Sequence, residues 1–198
     1  MPLIFKKKDI TKMDVDIIVS SAPFSPVVGE GVDFAIHQAA GTQLLEARKL
    51  LGSIAVGEAF ITPAFKLPAK FVIHAVGPIW NGGGNNEAED LKKCYLSALK
   101  LATENGCESI ALPIISIGEK GYPRDEALII AKQTIIEFIE ENELIVYLVD
   151  HDKTFAELSK ELFNKLRTYI NTNYVNQDYD INYSVSNIRY RKEQLNAE

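Results

Sequence analysis

The sequence contains few of the side chains that build metal centres or disulfide frameworks. Among 198 residues there are two cysteines, three histidines and one tryptophan. A zinc site needs several ligands at metal-binding spacing, and neither Cys94 nor Cys107 has such partners nearby in the sequence. The two cysteines are therefore predicted to be reduced, buried thiols, and neither a metal nor a cofactor is expected.

Long apolar runs and an excess of positive charge are also missing. No stretch approaches the roughly 20 apolar residues of a membrane-spanning helix, and the amino terminus carries no cationic leader before an apolar run. The formal net charge is −6, whereas non-specific nucleic-acid binding depends on cationic contacts to phosphates. The sequence therefore predicts a cytoplasmic protein with no nucleic-acid or membrane partner, in which backbone N–H groups hold any anionic ligand.

The sequence does contain a regular alternation of apolar strands and amphipathic helices. Four short, almost wholly apolar runs are typical of buried strands. They occupy residues 17–19, 71–76, 110–112 and 144–149. The alternation predicts an α/β fold, with helices on both faces of a central mixed, largely parallel sheet and ligands at the carboxyl ends of the strands. Asn86, followed three residues later by Glu89, predicts a capping box at the start of one helix.

Two glycine-containing turns stand where a strand gives way to a helix. The first is residues 29–32, with Asp33 in the first helical turn, and the second is residues 116–123. A helix N-terminus leaves backbone N–H groups unpaired, and these donors together with the helix dipole attract anions. Two such turns facing each other predict a clamp for a diphosphate.

Several short motifs occur in an order and spacing that resemble the macro domain family. They are Gly31-Val32-Asp33 with Ala35-Ile36-His37, Ala39-Ala40-Gly41, Gly57-Glu58-Ala59, the stretch from Leu67 to Pro78 with Trp80, and Ser116-Ile117-Gly118 through Gly121-Tyr122-Pro123. The resemblance covers about residues 1–168. It implies a three-layer α/β/α fold that binds ADP-ribose or a related nucleotide, and many such relatives hydrolyse ADP-ribose esters or O-acetyl-ADP-ribose.

The resemblance also implies roles for single residues. Asp9 matches the aspartate that accepts a hydrogen bond from the adenine amino group, and Asp33 matches the aspartate linked to hydrolysis. The turns at 29–32 and 116–122 match the two diphosphate loops. The residues predicted to bind the ligand are Asp9, Ile10, Ser20, Gly29, Gly31, Val32, Ser116, Ile117, Gly118, Glu119, Lys120, Gly121 and Tyr122.

The chain departs from the family pattern where the ligand would lie. Hydrolytic relatives carry Asn-Ala-Ala-Asn where this chain has Ser20-Ser21-Ala22-Pro23, and proline offers no donor to a ribose. Glu30 and Phe34 stand in place of glycines, and the aromatic residue that stacks on adenine is missing near residues 149–151. These changes predict ligand binding with weak or no hydrolysis.

Two other functions remain open from the sequence. One is an ADP-ribosyl or O-acetyl-ADP-ribose hydrolase that uses Asp33, with ADP-ribosylated protein as a possible partner. The other is a degenerate macro fold that serves as an interaction scaffold through residues 171–198, a segment rich in Tyr and Asn beyond the predicted domain at 1–170. The oligomeric state is left undetermined.

Several of the singled-out residues also have purely structural interpretations. Asp33 could be a first-turn carboxylate that the helix dipole stabilises, and Asp9 could cap a turn. His37 and His74 lie in apolar patterns and are predicted to pack in the core. Lys120 could either hold phosphate or be solvated, and Tyr122 could flank the ligand or fill the core.

Overall fold

The computed structural model describes residues 2–150, which form six strands and four α-helices. The strands are β1 (Leu3–Lys7), β2 (Ile17–Ser21), β3 (Ala59–Pro63), β4 (Phe71–Ala75), β5 (Ser109–Pro113) and β6 (Ile145–Asp150). The helices are α1 (Gly31–Ala40), α2 (Thr42–Leu51), α3 (Glu87–Glu104) and α4 (Arg124–Glu141), with a single 3-10 turn at Ile10–Lys12. None of the described helices has the length and apolar character needed to cross a membrane. The predicted last helix and the 171–198 extension lie outside the described residues.

The six strands form one mixed sheet in the order β1-β6-β5-β2-β4-β3. Four of the five strand pairs are parallel, and only β3 runs antiparallel to its neighbour β4. The carboxyl ends of β1, β6, β5, β2 and β4 therefore share one edge of the sheet. This arrangement confirms the predicted α/β fold with a central, largely parallel sheet.

The sheet is buried on both faces, as the apolar strand runs predict. Ile17, Ile18 and Val19 in β2 are completely buried. Ile17 and Val19 pack into a cluster with the apolar faces of α3 and α4, whereas Ile18 packs on the other face with residues of α1 and α2. Because successive side chains of a strand point to opposite faces, one strand contributes to both helical layers of the three-layer fold.

The start of α3 differs from the capping box expected there. Asn86 is the N-cap residue, but it adopts a left-handed conformation (φ 62°) and its side chain caps nothing. The Glu87 carboxylate instead accepts hydrogen bonds from the backbone N–H groups of Asn81, Gly83 and Asn85. The capping prediction is wrong because the glycine-rich loop before the helix folds back onto Glu87, where it finds acceptors for three of its N–H groups.

Candidate functional site

A cleft of about 730 Å³ crosses the carboxyl edge of the sheet. It begins at Lys8 and Asp9, after β1, and ends at Gly77, after β4. Because neighbouring strands lie about 4.8 Å apart, the four strand-to-strand steps between these ends give a cleft about 19 Å long. Both glycine turns predicted from the sequence line this one cleft.

The first turn forms the amino-terminal end of α1. Glu30 is the N-cap residue and makes no side-chain capping bond. Gly31 adopts a positive φ of 58°, a conformation that glycine adopts without steric cost. Gly31 and Val32 both line the cleft. Their backbone N–H groups lie in the first turn, where a helix supplies no acceptor, so they are available to an anion.

The buried carboxylate of Asp33 holds this first turn in place from the protein interior. It accepts a hydrogen bond from the backbone N–H of Gly29 at 2.7 Å and one from the Ser20 hydroxyl at 2.5 Å. Both side chains are buried, with Asp33 1% and Ser20 0% exposed, and neither residue lines the cleft. The structure thus places both predicted site residues behind the loop, where they set its shape, while Gly29 itself faces the cleft.

The second turn is closed by its own backbone. The N–H of Tyr122 donates to the carbonyl of Ser116 at 3.0 Å, and the N–H of Gly121 donates to the carbonyl of Gly118 at 2.9 Å. Ser116 has a positive φ of 69°, which is uncommon for a residue with a side chain. Ile117 and Gly118 at the tip line the cleft together with Ser116.

Tyr122 lies behind this second turn. The residue is 3% exposed, and its ring packs on the Trp80 ring with 4.7 Å between the centroids. Tyr122 and Gly121 are not among the cleft-lining residues, whereas Glu119 and Lys120 are. Of the two interpretations left open for Tyr122, its position fits the filling of the core.

Tyr95 on α3 fixes the chain that leads into the second turn. Its hydroxyl donates to the carbonyl of Pro113 at 3.2 Å and accepts from the N–H of Ile115 at 2.8 Å, and the ring is fully buried. Burial raises the pKa of this phenol, so it stays protonated and able to donate.

Replacing Tyr95 with phenylalanine is expected to lower the free energy of unfolding by about 2 kcal/mol, because a buried carbonyl and a buried N–H lose their partner together. Urea unfolding at neutral pH measures this change. An unchanged midpoint would contradict the bridging role. The substitution Thr42→Val, which removes an exposed hydroxyl, serves as a surface control.

The opposite end of the cleft carries the predicted adenine contacts. Asp9 lines the cleft and also caps the 3-10 turn, accepting hydrogen bonds from the backbone N–H of Thr11 at 3.0 Å and its hydroxyl at 2.7 Å. The hydroxyl bond of Thr11 is the main cause that lowers the pKa of Asp9, so the carboxylate is charged at neutral pH. Ile10 and Val149 line the same end and present aliphatic rather than aromatic surface.

The residues that depart from the family pattern differ in their position relative to the cleft. Pro23 and Glu30 line the cleft, and the Glu30 side chain is exposed. Phe34 is 51% exposed and does not line the cleft. The ring that replaces a glycine next to Asp33 therefore leaves the space between the two turns open.

Lys120 is anchored rather than solvated. Its ammonium donates to the carbonyl of Ala22 at 3.0 Å and to that of Gly77 at 2.9 Å, bridging the chain after β2 and the chain after β4. Burial lowers the pKa of this lysine. The residue also lines the cleft, so it places a fixed positive charge at the end opposite Asp9.

No role was predicted for Arg48 from the sequence, yet its side chain supports the loop that contains Pro23. Its side chain is 1% exposed, and its guanidinium donates to the carbonyls of Pro23 and Phe24, each at 3.3 Å, and to that of Gly52. One feature of the sequence could have indicated this role. Arg48 lies four residues after Leu44, on the apolar face of α2, where a charge requires buried partners.

Two buried histidines lie behind Asp33. Nε2 of His37 lies 3.8 Å from the Asp33 carboxylate, and Nε2 of His74 lies 3.0 Å from the hydroxyl of Thr62. Side-chain atoms of Asp33, His37 and His74 come within 4.8 Å of one another, a spacing compatible with a metal ion. Burial is the main cause that lowers the pKa of both histidines, and the charge of the nearby Arg48 lowers it further. The same repulsion from Arg48 disfavours a bound cation. Both histidines are in the core, where the sequence placed them.

His74 makes the stability of the fold depend on pH. Burial lowers its pKa from 6.5 to about 3, so the folded state keeps the ring neutral where the unfolded chain takes up a proton. The stabilisation that comes from a neutral His74 is fully present above the pKa that this histidine has in the unfolded chain. It is lost as the pH falls below that value. We expect His74 to remove about 2 kcal/mol of unfolding free energy between pH 7 and pH 5.

This pH effect is checked by urea unfolding of the parent chain and His74→Gln at the two pH values, since glutamine keeps a polar group near Thr62 and cannot titrate. The variant should lose about 2 kcal/mol less than the parent over that interval. Equal losses in both proteins would show that His74 is not the titrating group.

Comparison with known proteins agrees with the fold and with the motifs. The family model described as Macro domain matches residues 19–131. A protein named O-acetyl-ADP-ribose deacetylase from Enterobacter sp. (strain 638) is 50% identical over 160 residues, which is 78% of this chain and 89% of that protein.

Solved structures give the same result. The Oceanobacillus iheyensis macrodomain with ADP is 39% identical with a TM-score of 0.78, covering 84% of this chain and 92% of that one. The Trypanosoma brucei macrodomain in complex with ADP-ribose is 31% identical with a TM-score of 0.73, covering 80% and 68%. On this extent of sequence and structural similarity, the chain belongs to the macro domain family.

Proposed function

We propose that this macro domain binds ADP-ribose or a derivative of it, with weak or no hydrolysis of the ligand. The observation that carries the proposal is the pair of backbone turns that line one open cleft, with N–H groups of Gly31 and Val32 on one side and of Ile117 and Gly118 on the other. Such N–H groups suit a diphosphate in a chain of negative net charge. Related macrodomains are solved with ADP and ADP-ribose, which supports the choice of ligand.

The two ends of the cleft fit the two ends of this ligand. Asp9 presents a carboxylate acceptor, which suits the amino group of adenine, and Lys120 presents a fixed donor, which suits the oxygen atoms of the distal ribose. Ile10 and Val149 offer apolar surface for the base. The cleft length of about 19 Å leaves room for a diphosphate between these groups.

Weak or absent hydrolysis follows from the state of Asp33 and its neighbours. The Asp33 carboxylate already accepts from Gly29 and Ser20 and is withdrawn from the cleft, so it does not reach a water there in this arrangement. Pro23 offers no donor to orient the ribose. A lost orienting group reduces a rate by about 100-fold or more.

The hydrolase alternative is supported by the name of the Enterobacter relative, O-acetyl-ADP-ribose deacetylase. It is separated from binding by incubating the protein with O-acetyl-ADP-ribose and measuring released acetate. Turnover that is fast and that disappears in Asp33→Asn would favour the enzyme over the binding module.

Calorimetry with ADP-ribose and with AMP tests the binding proposal. ADP-ribose should bind with a dissociation constant in the micromolar range, and AMP should bind at least about ten-fold more weakly because it lacks the second phosphate and the distal ribose. No binding of ADP-ribose at high micromolar concentration would overturn the proposal.

A further inference from the structure

The end of the cleft around Lys120 has an apolar rim. Phe24 is 55% exposed, Ile79 is 63% exposed and Val56 is 44% exposed, and all three line the cleft. We call these three residues the apolar collar. Large apolar side chains exposed together within a cleft mark a surface that contacts a ligand.

The collar is fixed to the same backbone that anchors Lys120. The carbonyl of Phe24 accepts from the N–H of Ile54 at 3.0 Å and from Arg48 at 3.3 Å. Val56 precedes Gly57, whose N–H donates to the carbonyl of Val76 at 2.8 Å. Ile79 precedes Trp80, whose N–H donates to the carbonyl of Lys120 at 2.8 Å. Phe24 and Ile79 each lie two residues after Ala22 and Gly77, respectively, whose carbonyls hold Lys120, so the collar lies beside the lysine.

The Lys120 ammonium has one donor left for a ligand. An ammonium carries three N–H donors, and the carbonyls of Ala22 and Gly77 accept two of them. A carbonyl oxygen at this position would take the third. The positive charge also repels a cationic substituent, so a cationic group is disfavoured at this end of the cleft.

We propose that this end of the cleft is an acyl subsite, in which Lys120 donates a hydrogen bond to the carbonyl of an acyl group on the distal ribose and the apolar collar receives an acyl chain longer than acetyl. The inference rests on the proposed binding of ADP-ribose and narrows its substrate class. A donor beside an apolar collar matches the carbonyl and the alkyl chain of such a group, respectively.

Calorimetry with three stable probes tests the subsite. They are ADP-ribose and its 3″-deoxy derivatives carrying an acetylamino or an octanoylamino group, whose amides retain the carbonyl and resist hydrolysis. The octanoyl probe should bind about ten-fold more tightly than the acetyl probe, because the added methylenes leave water for the collar. Equal or weaker binding of the octanoyl probe, with ADP-ribose still bound, overturns the subsite alone. No binding of any probe overturns the proposed function.

Matched variants assign the effect to the residues named. The double variant Phe24→Ser with Ile79→Ser should lose the preference for the octanoyl probe, whereas Leu50→Ser, at an 89% exposed position outside the cleft lining, should keep it. Lys120→Met should weaken both acyl probes about ten-fold and leave AMP unchanged. Lys49→Met, an exposed lysine on α2, is its control. A preference that survives in the collar variant contradicts the assignment, and thermal melting confirms that each variant is folded.

Discussion

Replacing Asp33 with alanine should weaken ADP-ribose binding about 30-fold and lower the free energy of unfolding by about 3 kcal/mol, because charge-assisted hydrogen bonds to buried groups are among the stronger ones. The N–H of Gly29 and the hydroxyl of Ser20 would both lose their acceptor. The first turn would then no longer be held in the shape that presents its amides. Calorimetry and urea unfolding measure the two effects on the same preparation.

Two controls separate this role from others. Asp125→Ala removes an exposed first-turn carboxylate of α4, so it reports the helix-dipole contribution alone, which is less than about 1 kcal/mol. Asp33→Asn keeps one acceptor and should fall between the parent and Asp33→Ala. If Asp33→Ala binds ADP-ribose as tightly as the parent and loses only turnover, the carboxylate is catalytic and the loop-holding account is wrong.

Gly77→Ala is expected to be the other severe substitution. A Cβ atom at this position would lie 2.3 Å from the Ser116 hydroxyl oxygen and 2.6 Å from the Cγ2 methyl of Ile115. Both distances are far below van der Waals contact, so the second turn must move. We expect a loss of about 3 kcal/mol of unfolding free energy and a loss of about ten-fold or more in ADP-ribose affinity.

The controls for this substitution are a glycine with free space and a compensating change. Gly84→Ala adds a Cβ that meets nothing within 4 Å and should leave binding unchanged. The pair Gly77→Ala with Ser116→Gly removes the hydroxyl from the clash, and glycine suits the positive φ at 116. The pair should recover part of the affinity, and a pair as weak as Gly77→Ala alone would mean that the contact with Ser116 is not the cause.

The fold was predictable because its determinants are local in the sequence. The apolar runs of β2 and β4, buried on both faces, identify central strands, and the glycine turns follow strands as a parallel sheet requires. The antiparallel edge strand β3 is consistent with the mixed sheet that was expected. The capping box at Asn86 failed because three N–H groups of the preceding loop bond to the carboxylate of Glu87, and the spacing rule for Asn86 and Glu89 does not include this contact.

The chemistry of the cleft was only partly predictable. The positions of both turns follow from the motifs, but the inward direction of Asp33 depends on the Ser20 hydroxyl and the Gly29 N–H, which meet only in three dimensions. The anchoring of Lys120 by the carbonyls of Ala22 and Gly77 likewise joins two strand ends that are far apart in sequence. Neither contact can be inferred from the spacing of residues along the sequence.

Binding as proposed depends on main-chain amides of the two turns that hold the diphosphate, and amide-resolved NMR during titration with ADP-ribose observes those amides themselves. The amide signals of Gly31, Val32, Ile117 and Gly118 should shift together, and ADP should reproduce these shifts. Saturable binding that leaves the amides of both turns unmoved would contradict this mode of binding.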